Sequence, residues 1–226
     1  MTQNEPIAQA MKALSAIDPN WQALVNQVGP CLHPLIEPHD PFKSLVKAVA
    51  YQQLHARAGD AMLRRLRELF PGQVFPTPAQ LVALEQPALA RCGFSTAKCK
   101  AIKAIALARL EERVPDVHQA LAMSEDALIQ TLVALPGVGQ WTVEMMLIYG
   151  LGKLDVFPAS DFGVREGFRR LYGLAERPGA TQLKRWGHAL APYRTLGAWY
   201  LWRVPVGFEP PEFQEYESKT RSGSAH

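Results

Sequence analysis

Apolar residues recur every three to five positions along most of the chain, and stretches of strict apolar–polar alternation are scarce. That spacing is the signature of amphipathic helices rather than strands. Between about Phe42 and Phe70 the series runs Leu45, Val49, Leu54, Ala58, Met62, Leu66 and Leu69. A further helix is predicted from Thr77, with Pro78 in its first turn, where the missing N–H costs nothing. From Ser95 to Leu110 the pattern places Ile102, Ile105, Ala106 and Leu110 inward and Lys98, Lys100, Lys103 and Arg109 largely outward. Ser124-Glu125-Asp126 reads as a cap followed by acid in the first turn of a helix ending at Ala134. Leu135 to Gly139 reads as a turn. Helices follow over about Gln140–Tyr149, Asp161–Tyr172, Thr181–Leu190 and Pro192–Trp202. The fold class is all-α.

Pro30, Pro34, Pro38 and Pro41 punctuate an irregular segment before the first long stripe. The tail from Val204 to His226 holds three prolines and four glutamates and is expected to be loosely ordered. At 226 residues, 48% hydrophobic and 20% charged, the chain is long enough for one domain of two small lobes with a real core. A net charge of +3 is compatible with a nucleic-acid partner without demanding one. Cys31, Cys92 and Cys99 are an odd number and form no C-x-x-C pair, so reduced thiols are expected rather than a disulfide framework or a metal cluster. The N-terminus carries Glu5 and no apolar leader, and no apolar run reaches bilayer length. A cytoplasmic monomer without membrane contact is expected, associated with the nucleoid in a bacterium.

The stretch that carries chemistry is Leu135-Pro136-Gly137-Val138-Gly139, between two amphipathic helices. Two glycines two apart let the backbone take conformations a side chain would block and let a phosphate approach bare N–H groups. The second helix begins there, so its unsatisfied N–H groups and positive dipole end face the same anion. The alternative is a tight turn between helices with no ligand.

With Gln140-Trp141-Thr142 after it, this stretch resembles the hairpin of the helix-hairpin-helix (Gly-Pro-Asp) DNA glycosylase superfamily, and most nearly its 3-methyladenine DNA glycosylase II branch. Other segments resemble the same family: Tyr51-Gln52-Gln53-Leu54, Phe75-Pro76-Thr77-Pro78, Gly93-Phe94-Ser95 with Lys98, Asp161-Phe162-Gly163-Val164-Arg165, and Pro192-Tyr193-Arg194 through Trp202. The likeness covers about Phe42 to Arg203. It implies a single two-lobed helical domain over 1–226, with the helix-hairpin-helix at about 124–149 and an active-site cleft between the lobes. No extra sheet domain is expected.

The resemblance implies a monofunctional glycosylase that flips an alkylated purine out of double-stranded DNA and hydrolyses its glycosidic bond. Asp161 matches the catalytic aspartate. Fixed negative charge beside C1′ stabilises the oxocarbenium character that develops there, and a helix N-terminus favours such charge. Read from the residues alone, Asp161 is equally a helix cap, and Asp155 is taken as structural. Trp141, Trp202 and Met145 match the base pocket, where tryptophan attracts a cationic base. Trp21, Trp186 and Trp199 read as core or surface packing. Gln53 or Leu54 matches the residue that fills the vacated stack, and His55 stands where a small hydroxyl residue is usual. Gly137, Val138, Gly139, Gln140 and Thr142, through their exposed N–H groups, are the expected phosphate contacts. Lys98, Lys100, Lys103, Arg57 and Arg165 are weaker candidates. No cofactor is expected beyond a structural Na+ or K+ on the Leu135 and Gly137 carbonyls, by family analogy.

Two other readings stay open. A non-catalytic hairpin protein would explain Gly137 and Gly139 but not Asp161 or Trp202. A bifunctional glycosylase/lyase would carry a lysine where Trp141 stands.

Overall fold

The computed structural model describes residues 5–32 and 37–212. Within them the chain opens with α1 (Glu5–Ser15) and α2 (Pro19–Val28). Next come α3 (Pro41–Tyr51), α4 (Ala56–Glu68), α5 (Pro78–Ala83), α6 (Gln86–Arg91) and α7 (Thr96–Leu110). Then α8 (Val117–Ala122), α9 (Glu125–Val133) and α10 (Gln140–Tyr149) lead to α11 (Phe162–Leu171) and α12 (Ala180–Trp186). A 3-10 turn at Gly187–Leu190 precedes α13 (Arg194–Leu201). Among the described residues there is no strand, and no helix is long and apolar enough to cross a membrane. Two compact units result, one of residues 36–153 and one built from 1–35 together with 154–226.

Short polar residues start the helices. Asp18 and Asp40 each accept a backbone N–H ahead of a proline in the first turn, at Trp21 (2.9 Å) and Phe42 (3.0 Å). Thr77 with Gln80, and Asp116 with Gln119, close reciprocal capping boxes. Ser95 and Ser124 cap α7 and α9.

In the 36–153 unit, α3 packs against α4, α7 and α10. It is therefore buried on most of its circumference, from Phe42 and Leu45 to Val49 and Ala50. α10 is likewise buried from Thr142 to Ile148. Such helices lose the one-sided stripe that makes a surface helix legible. The apolar series from Phe42 to Phe70 is not one helix, because the backbone reverses at Gln52–His55 and Gln53 takes φ +55°. Leu54 lies in that reversal and is 46% exposed, and Leu110, expected inward, is 52% exposed because it closes α7.

The other unit joins the two ends of the chain. Trp21 of α2 stacks on Trp186 at 5.8 Å, and Trp186 meets the edge of Phe168 at 4.6 Å. The Tyr172 hydroxyl donates to Asp18 at 2.6 Å. Asn20 exchanges two hydrogen bonds with the backbone of Glu212. The tail, expected to loosen from Val204, is thus held as far as Glu212, and the remainder lies outside the described residues, as does Pro34. All three cysteines are buried, and burial pushes the Cys92 and Cys99 thiols up, which keeps them protonated and unreactive.

Candidate active site

The hairpin runs from the end of α9 to Gln140 and rests on two buried side chains, Leu135 and Val138, with Val138 N–H donating to the Leu135 carbonyl at 3.1 Å. Its two glycines have different reasons to exist. Gly137 has φ +76°, and a Cβ there would lie 2.6 Å from the Ala101 Cβ of α7. Gly139 has φ −93° and nothing within 4 Å of a Cβ position. The expectation that both glycines serve the backbone conformation is therefore corrected at Gly139. What the missing side chain leaves there is open space over the first N–H groups of α10.

The Thr142 hydroxyl is committed inside the fold. The residue is 1% exposed, and the hydroxyl accepts the Gln52 side-chain amide at 2.8 Å. The same amide donates to the Gly137 carbonyl at 3.1 Å. The Gln140 side-chain amide donates to Glu144 at 2.8 Å, so a ligand at this position would be met by the backbone N–H that a helix start leaves unsatisfied.

Gln53 and Leu54 project from the reversal between α3 and α4 and are exposed. Lys98 braces this turn from behind, donating to the carbonyls of Ala50 and Gln52, both at 2.9 Å. A cation at the carbonyl end of α3 satisfies groups the helix leaves open and matches its dipole. Burial lowers the Lys98 ammonium from its ordinary range. Lys98 is therefore a structural cap, not a phosphate contact. Arg165 is similarly committed, to the Pro178 carbonyl at 2.8 Å, and Lys103 reaches the Val82 carbonyl at 3.4 Å. Lys100 and Arg57 stay exposed. His55 occupies the N-cap position of α4 but makes no capping bond, as a serine or threonine would, and its ring is exposed.

In the other unit Asp161 caps α11. Its Oδ1 accepts Val164 N–H at 2.9 Å and the Trp202 indole Nε1–H at 2.7 Å. Trp202 is the residue that ends α13. The two helices meet at Gly167, where a Cβ would strike the Leu201 carbonyl, and this close crossing brings the N-terminus of α11 beside the C-terminus of α13. Asp155 is indeed structural: it takes Arg194 in a two-point ion pair, Nε to Oδ1 at 2.7 Å and Nη2 to Oδ2 at 2.8 Å. Its charge is neutralised where it stands. Trp199 is buried with the Arg203 guanidinium 3.7 Å over its ring.

Trp141 and Met145 lie four residues apart on α10, so they share a face, Trp141 half-buried and Met145 buried. The Leu135 and Gly137 carbonyls each already accept a hydrogen bond, leaving one lone pair apiece. Among the described residues no cluster of three histidine, cysteine or carboxylate side chains could complete a metal shell. Those remaining lone pairs are the groups that would hold a monovalent cation there, since such ions take carbonyl oxygens. The sequence gives no role to Gln52, whose doubled bond to the hairpin spans 85 and 90 residues, or to Gly163, which stands between Asp161 and Trp202.

The sequence model of the HhH-GPD superfamily of base excision DNA repair proteins matches residues 46–191. The chain is 37% identical to DNA-3-methyladenine glycosylase 1 of Schizosaccharomyces pombe over 84% of each sequence. It is 33% identical to the alkylbase DNA glycosidase-like protein mag2 of the same yeast, over 91% of this chain and 97% of that one. A solved structure of a Schizosaccharomyces pombe 3-methyladenine DNA glycosylase in complex with abasic DNA superposes with a TM-score of 0.83 at 36% identity, covering 86% of this chain and 95% of the other.

Proposed function

The chain belongs to the HhH-GPD superfamily of base excision DNA repair proteins, and from that membership we propose that it is a monofunctional DNA glycosylase acting on alkylated purines in duplex DNA. Its partner is double-stranded DNA, and the reaction is hydrolysis. The observation that carries the reading is the Asp161–Trp202 pair, a carboxylate on a helix N-terminus held by the indole of an adjacent tryptophan.

The chemistry follows from charge. A purine alkylated at N3 or N7 is cationic and leaves readily, so protonation by a strong general acid is not required. The bond from C1′ to the base nitrogen breaks, and positive charge builds on the sugar. Asp161 lies opposite that charge and stabilises it without becoming covalently attached. Water then adds to C1′ and gives its proton to solvent or to the carboxylate. The base must first leave the stack, and we assign the Trp202 ring face to receive it. An indole donates its N–H in the ring plane, so holding Asp161 and stacking on a base use perpendicular directions.

The rest of the machinery is positional. The N–H groups at the start of α10, exposed by Gly139, are assigned to phosphate. Gln53 and Leu54 are assigned to the gap left in the duplex. Trp141 stands at the hairpin helix where a lyase would need an amine, and neither it nor Gln140 can form a Schiff base. The test is incubation with methylated duplex DNA and chromatographic identification of the released bases. Release of 3-methyladenine or 7-methylguanine at rates well above spontaneous loss is expected. Binding without release would leave only a hairpin DNA-binding protein.

A further inference from the structure

We infer that Gly163 is a positioning residue for the reaction: the absence of a side chain there is what lets the Trp202 indole reach Asp161. This rests on the assignment of Asp161 as the catalytic carboxylate. Gly163 is the second residue of α11, in the first turn after Asp161. Its φ is not positive, so any residue could adopt its backbone. Glycine within a helix is less favourable than alanine. The local backbone therefore gains nothing from glycine, and the reason for it must be space.

The space is occupied by the Asp161–Trp202 contact. A Cβ at 163 would stand 2.7 Å from Trp202 Cδ1, 3.2 Å from Trp202 Nε1 and 3.2 Å from Asp161 Oδ1. The first of these is closer than real side chains approach. Cδ1 is covalently bonded to Nε1, so a methyl that pushes Cδ1 aside carries the donor nitrogen with it. Nor is the indole a flexible tip that swings away at little cost. Trp202 is half-buried, and its backbone N–H is bonded to Ala198 at 2.9 Å. The added methyl therefore acts on the 2.7 Å hydrogen bond from the Trp202 indole to the Asp161 carboxylate. Val164 N–H still donates to the same Asp161 Oδ1. The helix should persist while the aspartate loses its bond to the indole.

The experiment is a double-mutant cycle on the full chain using Gly163→Ala, Trp202→Phe, the pair together, and Asp161→Asn. Single-turnover release of 7-methylguanine from a duplex is measured well below each variant's melting temperature. Affinity for an undamaged duplex is measured alongside. Gly163→Ala should slow release at least tenfold with DNA affinity within about twofold, whereas a purely structural role would lower affinity and melting temperature together. In the Trp202→Phe background, which has no N–H to displace, the same substitution should change the rate by less than about twofold. The indole N–H resonance of Trp202, assigned by its loss in Trp202→Phe, should shift in Gly163→Ala towards values of indoles bonded to water. That spectrum reads the geometry even if activity is lost for another reason. Wild-type release by Gly163→Ala, equal losses in both backgrounds, or an unmoved resonance would overturn the inference. Retained activity in Asp161→Asn would instead overturn the assignment of the catalytic carboxylate.

Discussion

The Gln52 side-chain amide donates to both the Gly137 carbonyl at 3.1 Å and the Thr142 hydroxyl at 2.8 Å. One side chain thus joins the turn that carries Gln53 and Leu54 to the hairpin assigned to phosphate. Lys98 fixes the same turn through the Ala50 and Gln52 carbonyls. The group that would enter the DNA stack and the groups that would grip its backbone are held in one register. A wedge that shifted against its phosphate anchor would miss the gap it must fill.

Gln52→Ala should therefore cost about 1–3 kcal/mol in denaturant unfolding, since it leaves the Thr142 hydroxyl buried without this donor. It should also slow base release more than it weakens binding to undamaged duplex. Unchanged stability would show that the two bonds contribute nothing measurable.

The two hairpin glycines should respond differently to alanine. Gly137→Ala pays for a left-handed backbone, roughly 1–2 kcal/mol, and also presses a methyl against Ala101. It should lower the melting temperature visibly. Gly139→Ala has an ordinary φ and open space, so it should fold like the wild type and weaken binding to all duplex sequences alike. Titrations at two salt concentrations separate these cases. Equal melting temperatures for the two variants would contradict the distinction.

Asp161→Asn should reduce base release by at least a thousandfold, of the order seen when a preorganised electrostatic group is removed, while leaving duplex affinity nearly intact. The asparagine oxygen can still cap Val164 and accept from Trp202, so little else changes. Single-turnover rates on alkylated duplex decide it. A rate near the wild type would end the assignment.

The reaction should stop at the abasic site. Lys98 is occupied by two carbonyls, and Trp141 and Gln140 fill the mouth of the hairpin helix. Borohydride added to the enzyme with damaged duplex should trap no covalent adduct. A stable protein–DNA adduct, or strand nicks without heat or alkali, would establish a lyase.

Stability in acid should depend on Glu166 of α11. Hydrogen bonding from Arg169, reinforced by Arg170, holds its carboxyl at about 2, well below its ordinary 4.5. A depressed carboxylate contributes stability that is present above its unfolded value and is lost as pH falls from about 4.5 towards 2. Glu166→Gln should flatten the fall in melting temperature across that window. An identical acid profile in the variant would show that the Arg169–Glu166–Arg170 group does not set it.

Several elements were plain in the chain. The helix starts at Thr77 and Ser95, the cap at Ser124 and the glycine turn at 135–139 are local, and the structure has each where the sequence predicts it. α1 and α2 were not plain, though Asp18-Pro19 carries the same cap signal as Asp40-Pro41. Their apolar faces are short, and their partners Phe168, Leu171 and Tyr172 come from the far end of the sequence. Lys98 looked like a surface cation because helical spacing shows which face a residue occupies, not which carbonyls lie within reach. The burial of Thr142 is not legible in the sequence, because it depends on α3, which packs against α10.

By itself the sequence determined the helical class, the hairpin and the aspartate at a helix start, because caps, turns and periodicity act over a few residues. Tertiary structure decided which side chains meet. That Trp202 donates to Asp161, that Gln52 reaches Gly137, and that Gly139 opens on empty space while Gly137 does not are facts of distance between segments far apart in the chain. Hydrogen bonds and steric contacts act over about 3 to 4 Å. No local pattern of residues encodes a separation that only packing sets.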